Sequence, residues 1–369
     1  MRLLICAGGT GGGVYPALAV LQAIRDSADV LWVGGEGGME AQLVERNGIP
    51  FKTVPAAGVH GVSLRTLPRN LWQLGRGVFA SGRILKEFKP DVLFFTGGYV
   101  AVPMALAGRK VPSLLFVPDI EPGLALNTLA RFARRIAVSA EDSTRYFNRP
   151  ERVVLTGYPT RTGLANWTRS QARKSLNLSN DPVLLILGGS KGARSINNAV
   201  LAALPELLEL AQVIHVSGEL DWPVVEAKSR ELTPSRAARY HAYPYLHEEM
   251  GSALASADLA LSRAGASTLG EYPLFGLPAV LVPYPYAWRY QKVNADFLVR
   301  HGAAEMLEDA SLSDRLLPTV KALLGDPQKL AEMRTAMTRL SRPQAAAEIG
   351  NLLIGLSQPS AGALREERR

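Results

Sequence analysis

The pattern of apolar and polar positions alternates between two textures along the chain. Short, near-continuous apolar runs are followed by longer segments with apolar residues at helical spacing. A run without polar alternation marks a strand buried on both faces, and its regular succession by helical segments predicts a parallel α/β sheet. In the first half the runs are Leu3–Ala7, Val30–Gly34, Phe51–Val54, Val92–Thr96, Leu114–Val117, Ile136–Ser139 and Val153–Thr156. Helical periodicity covers Pro16–Asp26, Met39–Asn47, Leu71–Phe88 and Leu124–Arg134, with Pro16 placed just inside a helix start, where its missing N–H costs little. The second half repeats the scheme with strands at Val183–Leu187, Val213–Val216, Arg239–Ala242, Ala257–Leu261, Ala279–Pro283 and Ala304–Leu307, and helices at Leu316–Leu324 and Gln328–Leu340. The pattern predicts two doubly wound, Rossmann-like domains, residues 1–160 and 161–341, joined near Gly157–Thr162. A last helix at 342–356 is expected to return to the first domain, and the Pro-, Ser-, Gly- and charge-rich tail 357–369 to be disordered.

Three strand ends carry small-residue turns. Leu3–Gly12 and Leu184–Ala193 are apolar runs entering glycine turns, one domain length apart. Ligands of open parallel sheets bind beyond the carboxyl ends of strands, so two such openings suggest two domains facing one cleft. The third, SRAGASTLGE at Ser262–Glu271, turns into a helix whose first residues are small or hydroxylated. Such a helix mouth attracts phosphate through its free N–H groups and positive dipole end, and Glu271, a turn further in, is placed to accept ribose hydroxyls. The alternative is an ordinary capped helix, with Ser267 and Thr268 hydroxyls accepting backbone N–H groups and Glu271 a stabilising first-turn acid.

The segment Leu64–Lys89 differs from the other helical stretches. Leu67, Leu71, Leu74, Val78 and Phe79 can line one face, with Trp72 beside it and Arg65, Arg69, Arg76, Arg83, Lys86 and Lys89 around it. An apolar stripe flanked by cations suits an anionic bilayer surface, and equally a core-packed helix with a solvated basic side. Composition narrows the setting. With 47% hydrophobic and 20% charged residues the chain is a folded globular one. The single cysteine, Cys6, excludes an intrachain disulfide and reads as a core filler. No secretion signal and no apolar run near the ~20 residues of a membrane span occurs, which predicts a cytoplasmic location. The net charge of +8 points to nucleic acid, anionic lipid or an acidic small substrate. Without a nucleic-acid-binding motif, nucleic acid ranks third.

The familiar catalytic signatures are missing. His60, His215, His241, His247 and His301 form no metal-ligand spacing, and no Asp-x-Asp, G-x-S-x-G or Walker A sequence is present. His215 and His241 lie in strands and read as structural; His247 faces either the cleft or solvent. What remains fits a sugar transferase without metal or other cofactor, in which backbone dipoles and Arg161 or Arg263 stabilise a departing diphosphate. The motifs resemble those of the MurG family over roughly residues 2–350: AGGTGG at Ala7–Gly12, GGYVAVP at Gly97–Pro103, GYPTRT at Gly157–Thr162, GGSKGAR at Gly188–Arg194 and SRAGASTLGE at Ser262–Glu271. The resemblance implies a GT-B fold and inverting, metal-independent transfer of N-acetylglucosamine from UDP-N-acetylglucosamine to an undecaprenyl-diphosphate-linked acceptor, lipid I to lipid II. It also implies peripheral attachment to the cytoplasmic side of the cell membrane. On the donor side it implies roles for Gly189 and Ser190 at the diphosphate, Arg161 at the hinge, Leu246 at the uracil, and Ala266, Ser267, Thr268 and Leu269 at the phosphate-facing helix mouth. Glu271 then takes the ribose, Gln291 the sugar, and Thr10, Gly11 and Gly12 face donor and acceptor.

The acceptor side departs from the family. Its histidine after GGTGG is Gly13 here, its His-Glu-Gln-Asn loop is replaced by Phe116–Asp119 and the following Ile120–Gly123, and its polar approach to Gln291 becomes Tyr286-Ala287-Trp288. Asp119 or Glu121 is the candidate replacement for a missing general base; the alternative is that they cap a helix beginning near Pro122. Three rivals stand beside the lipid I transferase. One is a transferase acting on another lipid such as diacylglycerol, and the second is a catalytically silent UDP-sugar-binding protein. The third, a dinucleotide oxidoreductase, is disfavoured because Gly8–Gly13 is denser in glycine than its fingerprint requires.

Overall fold

The computed structural model describes residues 1–8, 11–37, 40–55, 67–189, 192–286 and 290–358, without the side chains of Leu67, Pro68 and Leu71. It divides into two compact units, Met1–Arg161 with the segment from Pro343 onward, and Thr162–Arg342.

The first unit carries strands β1 (Arg2–Cys6), β2 (Asp29–Gly35), β3 (Phe51–Val54), β4 (Val92–Phe95), β5 (Ser113–Val117), β6 (Arg135–Val138) and β7 (Val153–Leu155). Its helices are α1 (Gly11–Ala23), α2 (Glu40–Arg46), α3 (Leu67–Phe88), α4 (Ala101–Ala107) and α5 (Leu124–Ala130). The strands form one sheet in the order β3-β2-β1-β4-β5-β6-β7, every neighbouring pair parallel, with Leu4 in register with Leu31 on one side and Leu93 on the other. Leu3–Cys6 are fully buried, which is why β1 reads as an uninterrupted apolar run. Each such side chain contributes about 1.5–3 kcal/mol on leaving water. Cys6 is among them, and burial first, then the Glu40 carboxylate, pushes its thiol far above the ordinary range.

The second unit carries β8 (Val183–Leu187), β9 (Gln212–Val216), β10 (Tyr240–Tyr243), β11 (Leu259–Ser262), β12 (Ala279–Leu281) and β13 (Ala304–Met306). Its helices are α6 (Arg169–Ser175), α7 (Arg194–Ala202), α8 (Leu204–Leu210), α9 (Trp222–Arg230), α10 (Pro234–Ala237), α11 (Met250–Ser256), α12 (Thr268–Phe275), α13 (Tyr290–Arg300), α14 (Leu312–Leu324) and α15 (Pro327–Arg339). The sheet order is β10-β9-β8-β11-β12-β13, again all parallel. One face of the sheet buries Ile196, Val200, Leu204 and Leu207 from α7 and α8, together with Leu316 and Val320 from α14. A final helix, α16 (Ala345–Ser357), packs on α1, and a Cβ on Gly350 would come within 2.4 Å of Cγ2 of Ile24, the residue that follows α1.

Every expected strand forms, with ends shifted by at most two residues. The helices were less legible. The helix expected from Pro16 begins at Gly11, so Pro16 lies inside it. The glycines wind the first turn, and the carbonyl of Gly12 thereby loses the donor that residue 16 would have supplied. The seven-residue α4 has no counterpart in the expected elements, because Ala101–Ala107 is too short and too uniformly apolar to show a period. In both sheets the strand order reverses beside the first strand, between β1 and β4 and between β8 and β11. All four glycine-rich or small-residue motifs that follow these strands thus sit at topological switch points, where doubly wound sheets bind ligands.

Candidate functional site

In the second unit, Gly188, Gly189 and Gly192 turn the chain from β8 toward α7. Gly189 has φ +80° and Gly192 φ +81°, in the left-handed region that side chains disfavour. Their surroundings differ. A Cβ on Gly188 would lie 2.4 Å from the Ala193 nitrogen, and one on Gly192 2.3 Å from the Ser217 carbonyl oxygen, so packing demands glycine at both. A Cβ on Gly189 would meet none of the described residues within 4 Å. Ser190 lies outside the described residues.

Across the switch point, the chain leaves β11 at Ser262 and enters α12 at Thr268. Gly265 is open like Gly189, with none of the described residues within 4 Å of a Cβ. The first intrahelical bonds run from the Thr268 N–H to the Gly265 carbonyl and from the Leu269 N–H to the Ala266 carbonyl, each 3.0 Å. The N–H groups of Gly265, Ala266 and Ser267 precede this ladder and lie at the positive end of the helix. The hydroxyls do not take up these donors. Ser267 makes no side-chain cap, and Thr268 Oγ1 instead donates to the Gly265 carbonyl at 2.7 Å. The turn is tightened, and neither hydroxyl caps its N–H groups. Leu269 is buried behind it, and Glu271 sits half-buried one turn further along.

Several side chains fix this mouth in place. Asn294 of α13, fully buried, donates from Nδ2 to the Ala264 carbonyl at 3.1 Å. Gln291 accepts the Tyr284 N–H on Oε1 at 2.8 Å. Arg263 donates to Asp309, to Ser195 Oγ at 2.8 Å and to the Val282 carbonyl at 3.2 Å, and stacks on the Tyr284 ring at 5.1 Å. Its guanidinium is committed to binding β11, α7 and the loop after β12 together. Leu246, in the loop after β10, is buried, so its backbone is what it can offer a ligand, and His247 beside it is exposed.

Behind the glycine turn runs a buried polar chain. Asn197 Nδ2 donates to the Ser217 carbonyl and to Asp221 Oδ2, both at 2.9 Å, and Arg194 Nε donates to Asp221 Oδ1 at 2.9 Å. The Asn197 oxygen therefore accepts, so His215 Nε2, 3.0 Å away, carries the ring proton, and His215 Nδ1 accepts from the Tyr240 hydroxyl at 2.8 Å. Complete burial lowers the His215 pKa to about 4 and keeps the ring neutral. The strand position of His215 marks it as structural, but its partners are not visible in the sequence, since their proximity is tertiary.

The first unit presents the other two turns. Thr10 lies outside the described residues, and Gly11 and Gly12 open α1. A Cβ on Gly8 would lie 2.5 Å from Glu40 Oε1, and one on Gly98, at φ +84°, 2.6 Å from the Gly8 carbonyl oxygen. Glu40, buried at the start of α2, accepts the Gly35 N–H at 2.9 Å and so backs this turn. Nothing in the local sequence distinguished it from an ordinary first-turn acid. At Gly13 a Cβ would lie 3.3 Å from both Thr96 O and Thr96 Oγ1, and that hydroxyl donates to the Gly13 carbonyl at 2.7 Å. Asp119 is half-buried and Glu121 is 8% exposed, both in the loop after β5. Gly123, not either carboxylate, occupies the cap of α5. Arg145 stands near Glu121: its guanidinium pKa is raised, first by the Tyr146 hydroxyl and then by Asp142 and Glu121. Tyr158 packs edge-on against Phe116 at 6.0 Å, and the Arg161 guanidinium covers the Tyr15 ring of α1 at 5.4 Å.

On α3, Trp72 and Phe79 are 64% and 65% exposed. Arg76 stacks on Trp72 at 4.9 Å and Arg83 on Phe79 at 4.5 Å, while Arg69 is exposed. Leu74 and Val78 are half-buried, and the Leu67 and Leu71 side chains lie outside the described residues. Phe79 thus leaves the apolar stripe in which spacing placed it and joins Trp72, two turns away, on the basic side. No described helix is long and apolar enough to cross a membrane.

Residues 3–138 match the glycosyltransferase family 28 N-terminal domain and 183–349 the glycosyltransferase family 28 C-terminal domain. A curated relative from Roseiflexus sp. (strain RS-1) is 41% identical, over 93% of this chain and 91% of its own length. Another, from Desulforudis audaxviator (strain MP104C), is 39% identical over 93% and 95%. Both are named UDP-N-acetylglucosamine–N-acetylmuramyl-(pentapeptide) pyrophosphoryl-undecaprenol N-acetylglucosamine transferase. The crystal structure of an Acinetobacter baumannii protein of that kind superposes with a TM-score of 0.76 at 28% identity, covering 96% of this chain and 99% of that one. Two Rossmann-like parallel sheets in one chain are the GT-B fold.

Proposed function

The chain belongs to the MurG family, and on that premise we infer that it transfers N-acetylglucosamine from UDP-N-acetylglucosamine to the lipid-linked N-acetylmuramyl-pentapeptide of peptidoglycan synthesis, converting lipid I to lipid II. The observation that carries the mechanism is the open pair Gly189 and Gly265 beside the free N–H groups of Gly265–Ser267. Two backbone segments with no described side chain within 4 Å of their open glycines let a diphosphate approach, and the helix end supplies fixed positive potential to it. Glu271 accepts the ribose hydroxyls, the Leu246 backbone addresses the uracil, and Gln291, anchored through its oxygen, turns its amide to the sugar. The acceptor hydroxyl attacks the anomeric carbon as the bond to the diphosphate breaks, inverting that centre. Its proton passes to Asp119 or Glu121, since Gly13 has no side chain to take it. Charge on the departing UDP is met by peptide dipoles, and the transfer proceeds without a metal.

Trp72, Phe79, Arg69, Arg76 and Arg83 give α3 an aromatic and cationic outer face that suits the anionic inner surface of the cell membrane, where a polyprenyl acceptor resides. The enzyme on this reading is peripheral and holds itself there by one helix face. The test is transfer of labelled N-acetylglucosamine in EDTA, offered lipid I or diacylglycerol. Labelled lipid II in the chelator supports the reading. Transfer to diacylglycerol alone replaces the acceptor, and UDP-sugar binding without transfer to either makes the chain a binding protein.

A further inference from the structure

The first unit has a second concave feature at the amino ends of its strands, away from the glycine turns. A hollow of about 450 Å³ lies between the loop after α4, the start of β5, the α5–β6 connection and the residues before β7. Arg109, Lys110, Arg134, Arg135 and Arg152 line it, with Glu151 the one acid among the described residues of its wall. The side chains of Arg109, Lys110 and Arg134 are in no ion pair among the described residues. Arg135 donates to the Glu151 carbonyl at 2.9 Å and Arg152 to the Ala133 carbonyl at 3.2 Å, bonds that fix both guanidiniums without neutralising them.

Five cations around one hollow repel each other, and a concave low-dielectric wall concentrates their field. The chain carries only +8 overall, so a large part of its excess charge is gathered here. Arginine forks match phosphate oxygens in pairs, and two of these forks are already held in place. The volume exceeds the needs of a single phosphate and falls within the range of small-molecule pockets. Phe132, 37% exposed on the same wall, adds a flat apolar surface. We propose that this hollow is a binding site for a phosphate-bearing anion of diphosphate size or larger, separate from the donor site of the other unit.

The experiment titrates inorganic pyrophosphate into the full-length protein saturated with UDP, comparing wild type with the Arg109→Gln/Lys110→Gln/Arg134→Gln variant. All three side chains are exposed. The proposal expects pyrophosphate affinity to fall by about tenfold or more in the variant, with UDP affinity unchanged. Flotation with phosphatidylglycerol and phosphatidylcholine vesicles identifies the source. A soluble anion leaves vesicle binding equal in the two proteins, whereas a lipid headgroup lowers the variant's binding to phosphatidylglycerol alone. Equal pyrophosphate affinity together with equal vesicle binding overturns the proposal.

Discussion

The glycine turns of the two units look alike in sequence and are glycine for different reasons. In the first unit, Gly8 is pressed against Glu40 and Gly98 against Gly8, so the absence of side chains is a condition of packing. In the second, packing claims Gly188 and Gly192 and a left-handed φ claims Gly189, but Gly265, at the mouth of α12, has no described residue within 4 Å of a Cβ. A glycine run therefore states that something comes close to the backbone without saying whether it is the protein or a ligand. On the proposed function the diphosphate belongs at the open turn of the second unit.

The largest effect expected from that assignment is on turnover. At least one of Asp119→Asn and Glu121→Gln should lower kcat by roughly 10²–10⁴-fold while UDP affinity stays at the wild-type value. Steady-state kinetics beside UDP titration checks it, and wild-type turnover in both variants removes the two carboxylates from the mechanism. Next are the glycines themselves. Gly98→Ala combines a left-handed φ with a 2.6 Å approach to backbone, and Gly192→Ala repeats that at 2.3 Å. Each should cost about 3 kcal/mol or more in chemical denaturation, whereas Gly265→Ala should stay within about 0.5 kcal/mol and weaken UDP binding instead. Equal destabilisation by all three substitutions breaks the comparison.

Acid should separate the units further. His215 has its folded pKa near 4 against an ordinary 6.5, so the unfolded chain takes the proton first as pH falls. Stability from the neutral ring is complete above pH 6.5 and is lost progressively toward pH 4, by about 3 kcal/mol. Unfolding midpoints across that range should drop for wild type, and the His215→Gln variant should lose that part of the slope. The smallest effect concerns the outer face of α3. Trp72→Ala with Arg76→Ala should lower binding to phosphatidylglycerol vesicles by about tenfold and leave UDP affinity alone.

How much was legible beforehand follows from the physics of each feature. Parallel strands such as β1 and β8 are buried on both faces, so their apolar runs announced them. Short helices such as α4 complete too few turns to show a period. The motifs at the switch points were visible because backbone approach leaves glycine behind. Glu40, Asn294 and the chain from His215 through Asn197 to Asp221 were not, because each depends on residues brought together only by folding. Phe79 was misplaced because apolar residues surround it on α3; its seven-residue spacing from Trp72, with Arg76 and Arg83 each four residues on, was the signal for the outer face.

Calorimetric titration of UDP in EDTA, into wild type and Glu271→Ala, tests most directly whether the second unit grips the nucleotide. The account predicts saturable binding by wild type without divalent cation, weakened in the variant by about 1.5–3 kcal/mol through loss of the ribose contact. No heat with wild type, or an affinity unchanged by removing the Glu271 carboxylate, contradicts it.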